Sequence, residues 1–349
     1  MKYNKFRKLG KFGAEVSPIG IGAMSFTNFY GPCNDSQAND VLTAALDMNL
    51  KHIDTSNVYG AGKSEERIGE FLLKQGNLAN DLFNIATKAA IYTDPETGKR
   101  GFNNQGDYLE KELDKSLKRL GVDFVDLFYV HRRDSSIEIE EVTDSLSKLV
   151  KKGKTKSIGF SEIAPSSLKR ASKIHHIAAV QSEYSLSTRA PEMGLLQTCS
   201  ELGTALVAFS PVGRTFLTDK PLSYEIAQSL DFTKVNPRFN QPNYDHNISI
   251  SDKFRNYARD IGVPSATLSI SWLLSNGEHV IPIPGTRSVE HLKELVAAME
   301  FDMTDKIKKE IENILPLGWA YGDRYSDAQW IGPEPVSYTH LTLPTKRIV

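Results

Sequence analysis

The sequence predicts an α/β protein with a single (β/α)8 barrel, the TIM-barrel fold, and two observations lead to it. Eight short runs rich in β-branched and aromatic residues recur along the 349-residue chain. Segments with helical periodicity separate most of these runs. Strands and helices that alternate in this way build a parallel sheet with right-handed crossovers, and eight strands close into a barrel. The alternative that the pattern leaves open is an open, doubly wound sheet.

The individual elements follow in chain order. Residues 10–13 are typical of a hairpin turn, which would close the bottom of the barrel. Asp107 and Glu110 resemble a capping box at the start of a helix with a leucine face. The eight predicted barrel strands are residues 19–24, 52–56, 83–88, 124–130, 155–160, 177–181, 204–209 and 279–282.

Two stretches depart from the alternation. Residues from about 211 to 247 are polar and poorly periodic, which inside a compact domain suggests a functional lid. Residues 335–349 resemble the translation of a sequencing adaptor. We therefore expect one barrel domain over residues 1–334, with a long loop at about 211–247, and a non-native tail over residues 335–349.

Composition excludes several classes of function. The chain has 42 Lys and Arg against 43 Asp and Glu, so a broad basic field for nucleic acid or anionic membranes is not expected. The sequence contains no apolar run long enough for a membrane span, and its basic start precedes no apolar signal segment. We expect a cytoplasmic protein. Cys33 and Cys199 lie far apart, which argues against a disulfide framework or a bound metal.

Polar residues follow the ends of successive predicted strands, which is where barrel enzymes place their chemistry. Asp54, Lys88 and His131 occupy three such positions, and Tyr59 follows Asp54 closely. Taken singly, a tyrosine here would usually pack and a lysine or aspartate would usually be solvated. Together they favour a catalytic set.

These four side chains suit the protonation of a carbonyl oxygen that receives a hydride. A tyrosine hydroxyl is a poor acid at neutral pH, but a nearby ammonium lowers its pKa. Lys88 would supply that ammonium and Asp54 would keep it charged. His131 would orient the substrate oxygen.

On these residues the chain resembles the aldo-keto reductase family, in particular its bacterial and plant members of broad specificity, from about Arg7 to Glu334. Six further motifs carry the resemblance. They are Ile19-Gly20-Ile21-Gly22-Ala23-Met24, Tyr30-Gly31-Pro32, Gly159-Phe160-Ser161-Glu162, Gln181-Ser182-Glu183-Tyr184-Ser185-Leu186, Phe209-Ser210-Pro211-Val212-Gly213-Arg214 and Ile283-Pro284-Gly285-Thr286-Arg287.

The resemblance implies reduction of aldehydes or ketones with NADPH, bound without a Rossmann domain, and with no metal. Tyr59 would be the proton donor, Lys88 and Asp54 would tune its pKa, and His131 would orient the carbonyl. Nicotinamide would lie against Ser161, Gln181 and Phe209. The implied cofactor-binding residues are Ser161, Gln181, Phe209, Ser210, Pro211, Val212, Arg214, Gly285, Thr286, Arg287, His291 and Glu294.

Three positions depart from the family pattern. His291 stands where many members have arginine near the 2′-phosphate, and Leu295 and Glu162 each replace a common asparagine. A neutral histidine contributes less to phosphate binding than arginine, so the first departure bears on the preference for NADPH over NADH. Arg287 keeps NADPH the expected cofactor.

The small-molecule pocket is less well specified by sequence. Its expected walls are Phe26, Tyr30, Tyr92, Arg132 and Phe216. Two other functions stay open at this point. One is a nucleotide-holding, redox-sensing subunit with slow turnover, as some relatives are. The other is an unrelated barrel enzyme such as an isomerase or metal-dependent hydrolase, which the lack of His/Asp ligand clusters in the sequence disfavours.

Overall fold

A curled parallel sheet forms the centre of the protein in a computed structural model, which describes residues 6–76, 79–94 and 96–336. The strands assigned within these residues are β1 (Arg7–Lys8), β2 (Glu15–Val16), β3 (Ile21–Gly22), β4 (His52–Asp54), β5 (Asn84–Ala89), β6 (Ile91–Thr93), β7 (Arg100–Phe102), β8 (Val125–Val130), β9 (Thr155–Ser161), β10 (Ala179–Glu183), β11 (Ala205–Phe209) and β12 (Val280–Pro282).

Eight of these strands are parallel neighbours in the order β3-β4-β5-β8-β9-β10-β11-β12. Two backbone hydrogen bonds join the ends of this series. The amide of Gly20 donates to the carbonyl of Pro282 and that of Gly22 to Pro284, each at 2.9 Å. A side chain at position 22 would place its Cβ 2.6 Å from the carbonyl oxygen of Ile283, so this close approach requires glycine. The sheet therefore closes, and the predicted (β/α)8 barrel is confirmed over the open sheet.

The residues of one strand alternate between two cores. Leu127 and Tyr129 of β8 pack inside the barrel, whereas Phe128 and Val130 belong to the larger core between the sheet and the helices. Leu9 and Val16 pack with the inner group. They come from the antiparallel pair β1–β2, which confirms the predicted hairpin around residues 10–13.

The helices cover the outside of the sheet. They are α1 (Asp35–Asp47), α2 (Lys63–Lys74), α3 (Ala79–Leu82), α4 (Gly106–Leu120), α5 (Ile139–Lys151), α6 (Pro165–Ala171), α7 (Leu195–Leu202), α8 (Tyr224–Ser229), α9 (Asp231–Lys234), α10 (Asn243–Asp260), α11 (Ser265–Leu274), α12 (Val289–Ala297) and α13 (Asp305–Ile314). Across the described part of the chain, none is both long and apolar enough to traverse a bilayer.

Helix starts show one difference from the prediction. The reciprocal capping box lies at α1, where the side chain of Asn34 accepts from the amide of Gln37 and that of Gln37 accepts from Asn34. Helix α4 begins at Gly106 after Gln105, so the capping box expected at Asp107 is wrong. Asp107 lies inside the first turn, where its charge still complements the helix dipole.

The stretch expected to be a long loop contains short helices. Helices α8 and α9 and the start of α10 fall within residues 211–247. Ser223 caps α8 by accepting from the amide of Ile226, and the rings of Phe216 and Phe239 stack with centroids 4.6 Å apart. Helices of four to six residues are too short to show a 3.6-residue period, which explains why the sequence pattern missed them.

The C-terminal segment after α13 returns to the barrel. The amide of Glu334 donates to the carbonyl of Glu162 at 2.8 Å, and Val336 is buried. Residues 337–349, most of the expected adaptor-derived tail, lie outside the described residues. The domain boundary at residue 334 stays a prediction.

Candidate active site

A cavity of about 650 Å³ opens at the carboxyl ends of the barrel strands. Most sequence-predicted site residues line it, although they come from seven different strand ends and their loops. Those lining it are Asp54, Tyr59, His131, Ser161, Gln181, Phe209, Ser210, Pro211, Val212, Arg214, Gly285, Thr286, Arg287, His291, Glu294, Tyr30 and Arg132. The barrel therefore gathers the residues that the sequence singled out.

Lys88 lies beneath the cavity floor, with its side chain fully shielded from solvent. Its ammonium forms an ion pair with Asp54 and donates to the carbonyl of Thr55 at 2.8 Å. Its Nζ is 3.5 Å from the hydroxyl of Tyr59. The second carboxylate oxygen of Asp54 accepts a hydrogen bond from the side-chain amide of Gln181 at 2.8 Å. Partners on both sides thus hold the ammonium in place beside the tyrosine.

Tyr59 reaches the cavity from the turn after β4, where it remains partly exposed. Burial raises the pKa of its hydroxyl, whereas the Lys88 ammonium lowers it, and burial is the larger effect. The net pKa is therefore above its ordinary value of 10.0. The contribution of Lys88 has the predicted sign, but it offsets the burial penalty rather than making the free hydroxyl acidic. Tyr59 is protonated at neutral pH, as a proton donor must be.

His131 faces Tyr59 across the floor. The two rings meet edge to face with centroids 5.8 Å apart, and Nδ1 of His131 lies 3.0 Å from the hydroxyl oxygen of Ser56. Burial lowers the pKa of His131 well below its ordinary value, and the positive charges of Arg132, Lys88 and Arg100 lower it further. The imidazole is therefore neutral at physiological pH.

Three neighbouring strand ends supply the residues expected at nicotinamide. Ser161 ends β9, Gln181 lies in β10 and Phe209 ends β11. The hydroxyl of Ser161 accepts from Arg132 at 2.9 Å, while Gln181 donates to Asp54. These bonds hold the side chain of Ser161 beside Arg132 and that of Gln181 beside Asp54. Phe209 offers the adjoining apolar face.

The loop after β11 bends sharply around the cavity. Ser210, Arg214 and Thr215 adopt left-handed backbone conformations with φ of 50°, 53° and 84°. In the loop after the neighbouring strand β12, Arg287 donates to the carbonyl of Pro32 at 2.7 Å, and Ser288 caps α12 through the amide of His291. Left-handed turns and a helix N-terminus both present backbone N–H groups that suit phosphate oxygens.

Arg214 belongs to a buried charge cluster that the sequence did not reveal. Its guanidinium donates to Glu183 at 2.6 Å, and Arg238 and Arg324 lie 3.6 Å from the same carboxylate. Burial raises the pKa of Glu183, but these guanidinium groups outweigh it and lower the pKa to about 2. Arg214 is one of the cofactor-binding residues that the family resemblance implies. It lines the cavity, yet its charge is largely directed at Glu183.

Glu162, one of the departures from the family pattern, completes the cluster. It forms a buried ion pair with Arg324 and accepts from the hydroxyl of Ser182 at 3.0 Å and the amide of Glu183 at 2.9 Å. The substitution is matched by an arginine 162 residues further along the chain. A second departure, Leu295, is explained by packing against Ile19 and Ala266.

Three of the five residues expected as pocket walls lie elsewhere, which corrects that prediction. Phe26 is completely buried in the core, and Phe216 stacks on Phe239 behind the cavity. Tyr92 lies on the β6–β7 ribbon with its ring against Tyr108, at a centroid distance of 6.2 Å. Tyr30 and Arg132 line the cavity as expected. The direction of each aromatic ring depends on partners distant in sequence.

Sequence reasoning also missed several cavity residues. They come from the β6–β7 ribbon, the helical stretch after β11 and the C-terminal segment, and they include Ile91, Arg100, Phe232, Tyr325 and Gln329. Strands of three residues carry too little alternation to be recognised, and the other segments follow no barrel strand directly.

Comparisons with known proteins show similarity over most of the chain. A model of the aldo/keto reductase family matches residues 18–316. The chain is 37% identical over 319 residues to the aldo-keto reductase yakc [NADP(+)] of Schizosaccharomyces pombe, covering 90% of this chain and 93% of that protein. It is 36% identical over 345 residues to the probable aldo-keto reductase 1 of Glycine max, covering 97% and 96%.

A solved structure extends the similarity to the fold. The glycerol dehydrogenase AKR11B4 of Gluconobacter oxydans superposes with a TM-score of 0.77 at 25% identity, covering 89% of this chain and 95% of that one. The family model, the two relatives and the similar fold lead to one assignment. The chain belongs to the aldo/keto reductase family.

Proposed function

We propose that the protein reduces aldehydes or ketones to alcohols with NADPH, and that Tyr59 donates the proton. One observation carries the proposal: the hydroxyl of Tyr59 lies at the cavity floor 3.5 Å from the Lys88 ammonium, which is itself paired with Asp54. A protonated tyrosine beside a fixed positive charge can give up its proton at the moment a carbonyl oxygen becomes negative.

The residues around the cavity fit NADPH. Phe209 supplies an apolar face beside Ser161 and Gln181, and Arg287 and the N-terminus of α12 supply phosphate-binding groups. NADPH, when bound, supplies the hydride. The printed name of the Schizosaccharomyces pombe relative includes NADP(+), which supports the same cofactor here.

The protein's own groups then account for the proton. The hydride adds to the carbonyl carbon, and the oxygen that gains the electron pair takes the proton of Tyr59. Lys88 stabilises the tyrosinate left behind, and Asp54 keeps Lys88 charged and in position. His131 orients the oxygen. Its ring is neutral because a charged ring would be costly to bury at this site.

The test is a comparison of Tyr59→Phe with the unaltered protein. We expect kcat with aromatic and aliphatic aldehydes to fall by roughly 100-fold or more, the range for losing a general acid. Fluorescence titration should show NADPH binding within about twofold of the original, because phenylalanine keeps the ring packed on His131. Tyr108→Phe, on α4 outside the cavity, is the matched control and should retain activity.

Other outcomes separate the alternatives. Full activity in Tyr59→Phe would show that the proton comes from another group. Tight NADPH binding by the unaltered protein without turnover would favour the redox-sensing function. If the unaltered protein binds no NADPH, both functions fail.

A further inference from the structure

Two arginine side chains line the cavity next to the catalytic residues. Arg132 directly follows His131 and is almost fully buried. Arg100 lies on β7, where its guanidinium sits 5.2 Å above the ring of Phe102 and its side chain is exposed. Both guanidinium groups are close enough to His131 to lower its pKa.

The partners of these arginines are neutral. Arg132 donates to the carbonyl of His131 at 2.7 Å, the hydroxyl of Ser161 at 2.9 Å and the hydroxyl of Tyr325 at 3.2 Å. Arg100 contacts a phenyl ring. Among the described residues, no carboxylate lies within 4.0 Å of either guanidinium, whereas Arg214 and Arg324 nearby each have one.

The acidic residues that line the cavity have other partners or lie on another part of the rim. Asp54 is paired with Lys88, and Asp219 accepts from the hydroxyl of Ser265 at 2.7 Å. Glu290 and Glu294 lie on α12, after the last barrel strand. The β6–β7 ribbon, which carries Arg100, follows β5 in the chain. Two strands separate β12 from β5 on one side of the barrel and four on the other, so these acids belong to a different part of the rim. The positive charge next to His131 is left without a countercharge from them.

The two guanidinium groups also repel each other. Partial desolvation at the cavity wall lowers the pKa of Arg100, and the charge of Arg132 lowers it further. An anion bound by both guanidinium groups would relieve this repulsion. Guanidinium groups suit carboxylate and phosphate oxygens because their N–H groups match the spacing of those oxygens.

We propose that the natural carbonyl substrate carries an anionic group, a carboxylate or a phosphate, and that Arg100 and Arg132 bind this group while the carbonyl faces Tyr59. The inference rests on the proposed function and names its substrate class. Arg100 determines specificity, because it is the accessible member of the pair. Arg132 also holds Ser161 and the His131 carbonyl, so replacing it would disturb the floor.

The test compares 4-formylbenzoate with its neutral methyl ester as substrates for the protein with NADPH. The ester is the more electron-poor aldehyde, so intrinsic reactivity favours it. We expect kcat/KM to be about tenfold higher for the carboxylate, the factor one charge-assisted hydrogen bond supplies, and to fall toward the ester value as ionic strength rises. A third substrate, 4-formylphenyl phosphate, distinguishes a phosphate site from a carboxylate site.

Arg100→Gln should remove the preference for the anionic substrates, so that the ratio of their kcat/KM to that of the ester falls to about one. Lys99→Gln is the matched control, since Lys99 is an exposed cation next in sequence that is not part of the cavity wall. Binding of the alcohol product, 4-(hydroxymethyl)benzoate, and of its methyl ester is measured by calorimetry on the NADP⁺-saturated protein. This second readout needs no turnover.

An equal kcat/KM for acid and ester, or a preference that survives in Arg100→Gln, would overturn the inference and leave carbonyl reduction standing. If neither aldehyde is reduced, the proposed function fails. The calorimetric comparison still tests whether Arg100 and Arg132 bind an anion. Equal affinity for the two alcohols would then overturn it, and tighter binding of the carboxylate that Arg100→Gln abolishes would support it.

Discussion

Glu162 and Arg324 form a buried ion pair that joins the end of β9 to the C-terminal segment. The two residues are 162 positions apart in the chain. Tyr325, the next residue, lines the cavity and accepts a hydrogen bond from Arg132. The pair therefore holds a cavity wall in place, and it links the position that departs from the family pattern to the shape of the site.

Removing one partner of this pair should destabilise the protein. Arg324→Gln leaves the carboxylate of Glu162 buried without its main countercharge, which typically costs about 3 kcal/mol or more. We expect the free energy of unfolding in urea to fall by that amount. Lys148→Gln is the control, because Lys148 and Asp144 form a surface pair with side chains 61% and 53% exposed. Such an exposed pair contributes little to stability, and equal losses in both variants would contradict the prediction.

The buried histidine should make stability depend on pH. The pKa of His131 in the folded protein is well below its ordinary value of 6.5, so the unfolded chain binds more protons than the folded protein once the pH drops below that value. The free energy of unfolding should therefore be highest above about pH 6.5 and fall on acidification, with His131 contributing up to about 1.4 kcal/mol per pH unit.

Urea unfolding of His131→Gln between roughly pH 7.5 and 5.5 checks this contribution. The variant should show a shallower decline than the unaltered protein over that range. His291→Gln, at an exposed position on α12, is the control. An identical decline in all three proteins would mean that other groups carry the dependence.

Arg287 should decide the preference between the two nicotinamide cofactors. It lies at the cavity wall beside the capped start of α12, and one of its nitrogens is bonded to the carbonyl of Pro32. In Arg287→Gln we expect the dissociation constant for NADPH to rise about tenfold and that for NADH to change little, because only NADPH carries the 2′-phosphate that a guanidinium binds.

Fluorescence titration with both cofactors measures the change. Lys293→Gln removes an exposed cation from the same helix and should leave both constants within about twofold. If Arg287→Gln weakens the binding of NADPH and NADH equally, Arg287 stabilises the loop through its bond to Pro32 and does not recognise the 2′-phosphate.

Much of the fold was accessible from sequence because each barrel strand carries its own signal. The runs at 83–88 and 204–209, for example, correspond to β5 (Asn84–Ala89) and β11 (Ala205–Phe209). Strand ends are positions along the chain, and a barrel brings the ends of its strands together. That is why Asp54, Tyr59, Lys88 and His131 could be grouped, and the structure places them together. Their catalytic roles stay predictions.

Tertiary structure alone decided which side chains face the cavity and which charges are paired. Phe216 turns toward Phe239 and away from the site, and Glu183 gathers guanidinium groups from positions 214, 238 and 324. The hydrophobic period of a segment reports only its own burial, whereas ring directions and ion pairs depend on segments that meet after folding. The sequence by itself determined the barrel and the group of polar residues at its strand ends, and the contacts between distant segments determined the cavity's walls and its charge.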